Sequence, residues 1–165
     1  RATAAGIPVS FDRNFRCRVW TTEAANTAVD PILQQVDLLF FARGDMQRMY
    51  GVEGSPEKFV NFMRERSSAK QIVVSLGSEG LLGWDGSTVT HVPPRKVQVI
   101  DRIGAGDAMV AGVLHGWLQG NLVKGLHYGV LTAALALTQW GDQPLTDAEE
   151  VEALLKTADL ADITR

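Results

Sequence analysis

Cysteine is almost absent: Cys17 is the only one among 165 residues. An internal disulfide is therefore excluded, no thiol cluster is available for a metal, and a reducing cytoplasm is the expected location. Positive charge is not in excess either. Sixteen Lys and Arg against nineteen Asp and Glu give a formal charge of -3, which excludes a broadly basic face for nucleic acid. No apolar run approaches the roughly 20 residues needed to cross a bilayer, so no membrane partner is expected, and no signal peptide is visible. His91, His115 and His127 lack metal-ligand spacing. Repeats and low-complexity linkers are missing.

What is present is ordinary for a globular domain. Hydrophobic residues make up 45% and charged residues 21%, enough to build one core. The chain opens at Arg1, and residues 1–6 read as the tail of a helix stopped by Gly6, so upstream residues are expected.

Apolar runs at 7–11, 36–41, 72–76 and 97–100 read as strands; the 36–41 run is continuous, as in a strand buried on both faces. Residues 81–84 and 88–92 flank Asp85-Gly86, a hairpin signal. Helices are expected over 22–35, with Pro31 as a breaker, and over 56–66, capped by Ser55, with Phe59, Phe62 and Met63 on one face. Others should follow from Gly104 to about Leu118, over 122–138, and from a Thr146 cap with Glu149 to Lys156. Gly112 and Gly116 suit close helix packing, Trp84, Trp117 and Trp140 suit packing, and Asp147, Glu149, Glu150 and Glu152 suit a solvated face. Strands alternating with helices predict an α/β fold with a mainly parallel sheet.

The sharpest motif is Asp101-Arg-Ile-Gly104-Ala105-Gly106-Asp107, where a strand passes through a glycine-rich turn into a helix. Free backbone N–H groups and the helix dipole make such a turn an anion site. Gly104 and Gly106 let the backbone approach the anion. Asp107 would repel a bound phosphate, but the position suits a base that takes a proton from an attacking hydroxyl. By spacing alone, an ordinary capped turn fits equally well. The P-loop pattern fails for want of Gly-Lys-Ser/Thr, and the dinucleotide fingerprint fails because the third glycine is displaced.

Residues 101–107 followed by Ala108-Met-Val-Ala-Gly112 closely resemble the C-terminal signature of the ribokinase-like (PfkB) kinase family. Asp12-Arg-Asn14-Phe-Arg16 with Trp20, Ser75-Leu-Gly77-Ser-Glu-Gly80 and Gln139-Trp-Gly141-Asp142 extend the resemblance, toward its 2-keto-3-deoxygluconate kinase branch. The resemblance implies a ribokinase-like layered fold, with this chain as the C-terminal nucleotide-binding portion, lacking the N-terminal half and the lid. It implies ATP and Mg2+ as cosubstrates and a sugar acid as the small-molecule partner, with Asp107 as base. Gly104, Ala105 and Gly106 would form the anion hole. Ser75, Gly77, Gly80, Val130 and Thr132 would contact the nucleotide, and Asp12, Asn14 and Arg16 the sugar acid. Arg16 suits a carboxylate through its planar fork; without the resemblance it reads as a solvated charge, and Asp12 and Asn14 as turn residues.

Two departures stand out. Where the family has Asn-Glu-Glu-Asp/Glu, this chain has Ala42-Arg43-Gly44-Asp45, which leaves Asp45 alone for an indirect role in metal handling. Ile103 stands where many members carry threonine. Without a lid, the chain by itself is expected to be weakly active or inactive; the full-length protein has scope to form a homo-oligomer. Other sugar or nucleoside kinases of the family, a non-catalytic nucleotide-binding domain and, more remotely, an NAD-binding domain are the competing readings.

Overall fold

The computed structural model describes residues 1–143 and 145–156 and the backbone of 162–163. The chain divides into two compact units, residues 1–77 with 82–90, and residues 78–81 with 91–165.

The first unit begins with a 3-10 turn, Thr3–Ala5, closed by Gly6 at φ 69. Strand β1 is Ser10–Asp12, shifted from the expected 7–11. The reason is local: Pro8 has no N–H for a ladder, and Val9 N donates to Asp37 Oδ2 at 2.8 Å. Val9 O in turn accepts from Asp37 N and Leu38 N at 2.8 and 3.2 Å. Asp37 Oδ1 also takes Lys70 Nζ at 2.8 Å, and its carbonyl accepts from Lys70 N and Gln71 N. One aspartate thereby pins the N-terminal ends of three neighbouring strands: β1, β2 (Leu38–Ala42) and β3 (Gln71–Ser75), which run parallel.

Helix α1, Thr22–Leu33, starts at Thr21, whose hydroxyl accepts from Ala24 N. It stops two residues beyond Pro31 instead of at Gln35. Leu38 to Phe41 are all buried, as a continuous apolar run requires. Helix α2, Arg43–Tyr50, follows β2 directly. No apolar period announces it; Met46 and Met49 are its buried apolar residues, and Tyr50 packs beside the core. Helix α3 is Pro56–Arg66, with Phe59 and Met63 fully buried and Phe62 packed beside them. Ser55 occupies its cap position, but only the Ser55 carbonyl accepts a bond there; the hydroxyl does not. Each such buried side chain contributes about 1.5–3 kcal/mol. Strands β4 (Leu81–Trp84) and β5 (Val89–Val92) complete the order β1-β2-β3-β4-β5. Asp85 closes their hairpin, accepting on Oδ1 from Ser87 N and Thr88 N, while Gly86 takes φ 106.

The second unit centres on helices α4, Ala105–Leu118, and α5, Leu122–Leu137. A Cβ on Gly112 would lie 2.5 Å from Thr132 Oγ1, and one on Gly116 would collide with the Gly125 backbone. Both glycines are therefore packing residues, as their spacing implied. The strand expected over 97–100 is only β6, Lys96–Val97, paired with β7, Asp162–Ile163. Ile100 N leaves the ladder to donate to Leu137 O at 2.8 Å.

Helix α6, Ala148–Lys156, is capped by Asp147 and not by Thr146. Asp147 Oδ1 accepts from Glu150 N at 2.9 Å, and the Thr146 hydroxyl donates to the Glu150 carboxylate. Trp84 and Trp117 are half-buried, but Trp140 is 81% exposed and packs no core. Glu152 also departs from a solvated face: it pairs with Lys124 Nζ at 3.1 Å and accepts from the buried Tyr128 hydroxyl. Among the described residues, no helix is long and apolar enough to cross a membrane.

Lys70 and the Val9 N–H hold the Asp37 carboxyl below the usual carboxylate range. A depressed folded value means stabilisation that is present above the unfolded value of about 3.9 and lost as pH falls through the folded one. Chemical denaturation should therefore show Asp37→Asn less stable than wild type at pH 7 and losing less stability on acidification. Gly116→Val should lower stability by about 1–3 kcal/mol in the same assay.

Candidate active site

The turn at the start of α4 is shaped by two glycines with different tasks. Gly104, at φ 78 and ψ -13, caps the helix, and its carbonyl accepts from Ala108 N at 2.9 Å. A Cβ there would come within 2.8 Å of Asp142 Cα. Gly106 faces open space, with nothing within 4 Å of where a Cβ would stand. No side chain caps the first turn, so its N–H groups are left for an anion, and the helix dipole adds to them. Asp107 is exposed in that same first turn, and no described residue bonds its carboxylate.

Asp101 holds the turn in place. Its Oδ1 accepts from Ile103 N at 3.1 Å and its Oδ2 from Gly141 N at 3.2 Å. These backbone donors, Ile103 first, pull its pKa down. The two sequence segments 101–107 and 139–142 thus meet. Sequence reasoning did not give Asp101 a role, although an aspartate two residues before a turn N–H is an Asx-turn signal.

Thr132 sits on α5 with its hydroxyl 2.7 Å from Ala108 O and 2.9 Å from Tyr128 O. Val130 is 6% exposed. In the structure the Thr132 hydroxyl serves the α4–α5 contact, and Val130 is a buried residue of α5. Gly80, at φ 91, lies where a Cβ would strike the Val92–Pro94 backbone, and His91 Nε2 bonds Glu79 O at 2.8 Å.

The first unit carries the other predicted residues at the carboxyl ends of its parallel strands, where open α/β sheets place ligands. Asp12 ends β1, Ala42 ends β2, and Ser75 ends β3 in register with Ala42. Asn14 and Arg16 continue from Asp12, both exposed, and a turn follows in which Arg16 O accepts from Val19 N. Gly77 turns the chain at φ 65 after β3. Arg43 Nη2 reaches Leu76 O at 3.2 Å. Asp45 is buried to 9% exposure and accepts on Oδ1 from Arg48 Nη2 at 2.5 Å. Among the described residues, no three His, Cys, Asp or Glu side chains cluster as a metal would require. The uncapped N–H groups at the α4 turn fit an anion.

The sequence profile described as pfkB family carbohydrate kinase matches residues 1–149. The chain belongs to this family. It is similar to 2-dehydro-3-deoxygalactonokinase of Haloferax volcanii, 32% identical over 159 residues, covering 96% of this chain and 50% of that protein. Among solved structures it is similar to a double mutant of fructokinase from Vibrio cholerae O395, at 27% identity and TM-score 0.82, over 93% of this chain and 52% of that one. It is also similar to 2-dehydro-3-deoxygluconokinase of Thermotoga maritima, at 25% identity and TM-score 0.78, over 94% and 52%. The chain spans about half the length of the curated relatives it matches. These likenesses establish the ribokinase-like α/β fold expected from the motifs.

The two glycines give opposite expectations. Gly104→Ala forces a side chain into a left-handed conformation against Asp142 and should cost about 1–3 kcal/mol. Gly106→Ala enters open space and should unfold at nearly the wild-type denaturant concentration.

Proposed function

We propose that the whole protein transfers a phosphoryl group from ATP to the primary hydroxyl of a sugar acid, with 2-keto-3-deoxygluconate as the leading acceptor. This chain supplies the C-terminal, nucleotide-binding portion. The observation that carries the reading is the α4 turn: an exposed carboxylate, Asp107, beside uncapped N–H groups, in a chain of the pfkB family. The fructokinase of Vibrio cholerae was solved with fructose and ADP, which supports a sugar and a nucleotide as the ligand pair.

The parts divide the work. The N–H groups of the turn hold the transferring phosphoryl group and meet its developing charge without reorganising. Asp107 accepts the proton of the sugar hydroxyl. Asp12, Asn14 and Arg16 orient the sugar acid, with the Arg16 fork on its carboxylate. Ser75, Gly77 and Gly80 border the nucleotide. ATP brings the phosphoryl group, and Mg2+ bound with it would offset the charge of the phosphates. Asp45, bonded to Arg48, has an indirect part in metal handling.

One observation favours a second reading, nucleotide binding without turnover: the described residues offer no carboxylate cluster for a metal. Kinetics separate the two. With ATP, Mg2+ and 2-keto-3-deoxygluconate, the full-length protein should turn over, and Asp107→Asn should lower kcat roughly 10²–10⁴-fold while nucleotide affinity is kept. Nucleotide binding with no turnover on any sugar or sugar acid would establish the second reading instead.

A further inference from the structure

Exposure alternates along the segment after β1. Asp12, Asn14 and Arg16 are exposed, Phe15 is half-buried, and Arg13 is only 4% exposed. That is the period of an extended chain, which sends neighbouring side chains to opposite faces. Arg13 N donates to Phe40 O at 3.0 Å, so the strand register continues one residue past Asp12.

The Arg13 side chain runs into the helical layer. Its Nη2 donates to Asn26 Oδ1 of α1 at 2.6 Å. Its guanidinium carbon lies 4.7 Å from the centre of the Tyr50 ring, at the end of α2. The guanidinium of Arg66, the last residue of α3, lies 4.8 Å from the same ring and pairs with Asp30 Oδ2 at 2.7 Å. One aromatic ring thus links two cations, and Arg13 ties β1 to the helices beside it. Nε and Nη1 of Arg13 are buried without a hydrogen-bond partner.

Stability alone does not explain such a residue. A buried guanidinium loses its hydration, and an apolar side chain of similar size would often serve the fold as well or better. An apolar side chain would not fix an orientation. A planar group bonded on one edge and stacked on a ring has one.

We infer that Arg13 is a positioning residue: anchored on Asn26 and Tyr50, it sets the Asp12–Arg16 segment so that Asp12, Asn14 and Arg16 face the sugar acid as a set. The inference rests on the proposed kinase reading and names a residue that reading does not use. Misplacement of a binding group by about 1 Å is costly to positioned chemistry, and Arg16 lies three residues beyond the anchor.

Steady-state kinetics on the full-length protein test it, with a melting curve for each variant. Arg13→Met should raise KM for 2-keto-3-deoxygluconate about tenfold or more. KM for ATP and kcat should stay within about twofold, since only sugar binding is altered. Arg13→Lys keeps a cation for the ring and a donor for Asn26, and should recover most of the loss. Asn26→Ala should shift the sugar KM in the same direction by less, and it decides the matter if Arg13→Met does not fold. An unchanged sugar KM in a folded variant overturns the inference. So does a common loss in kcat and both KM values that tracks a lowered melting temperature. In either case wild-type turnover leaves the kinase reading standing; a wild-type protein that phosphorylates no sugar or sugar acid sinks both.

Discussion

The close approach of α4 and α5 governs the geometry of the glycine turn. Gly112 and Gly116 on one helix and Gly125 and Gly129 on the other leave no room for side chains between the two backbones. The Thr132 hydroxyl reaches Ala108 O across the contact. Helices packed this tightly cannot slide or rotate without driving backbone into backbone. The axis of α4 is therefore fixed, and with it the direction of its N-terminal N–H groups. Two more ties hold the turn: Ile100 N bonds the last turn of α5, and Asp101 spans Ile103 and Gly141. An anion site made of backbone has no side-chain rotamers to lose on binding, but it depends wholly on where its helix stands.

The first unit solves a different problem, which is to present polar residues from an apolar sheet. Asp37 fastens the N-terminal ends of β1, β2 and β3 with its carboxylate and its carbonyl. The register set there carries through to Ala42 and Ser75 at the other end. Polar residues at the carboxyl ends are thus placed by contacts made at the opposite end of the strands. Arg43 adds a bond to Leu76 O where the chain leaves β3.

Much of this was legible in the sequence, for reasons that can be named. Helix α3 was bounded to the residue because Pro56 starts it and Phe59 and Met63 mark its buried face. The Asp85-Gly86 hairpin and the Gly6 stop follow from backbone conformations that few other residues adopt. Helix α2 stayed hidden because eight residues carry just two buried methionines, too few for a period. The strand starts were misplaced where a side chain did the work of a ladder partner, as Asp37 does for Val9. At the glycine turn the motif was readable and its supports were not. Asp101 and Gly141 are 40 residues apart, and nothing in their spacing brings them together. Arg13 was passed over because an arginine between polar neighbours reads as a surface charge.

Asp107 poses an electrostatic problem that the proposed reading must solve. A carboxylate and a phosphate on one helix N-terminus compete for the same partial positive charge, and they repel each other. The turn itself adds no cationic side chain apart from Arg102, which is exposed. The conflict is resolved if the phosphates arrive already neutralised. In the proposed reading, a divalent cation that comes with the nucleotide would offset most of that repulsion. In that case the metal would come with the nucleotide and not from a carboxylate cluster, of which the described residues hold none. In the proposed reading the base and the metal are coupled through the nucleotide, because Asp107 and the phosphates share one helix N-terminus.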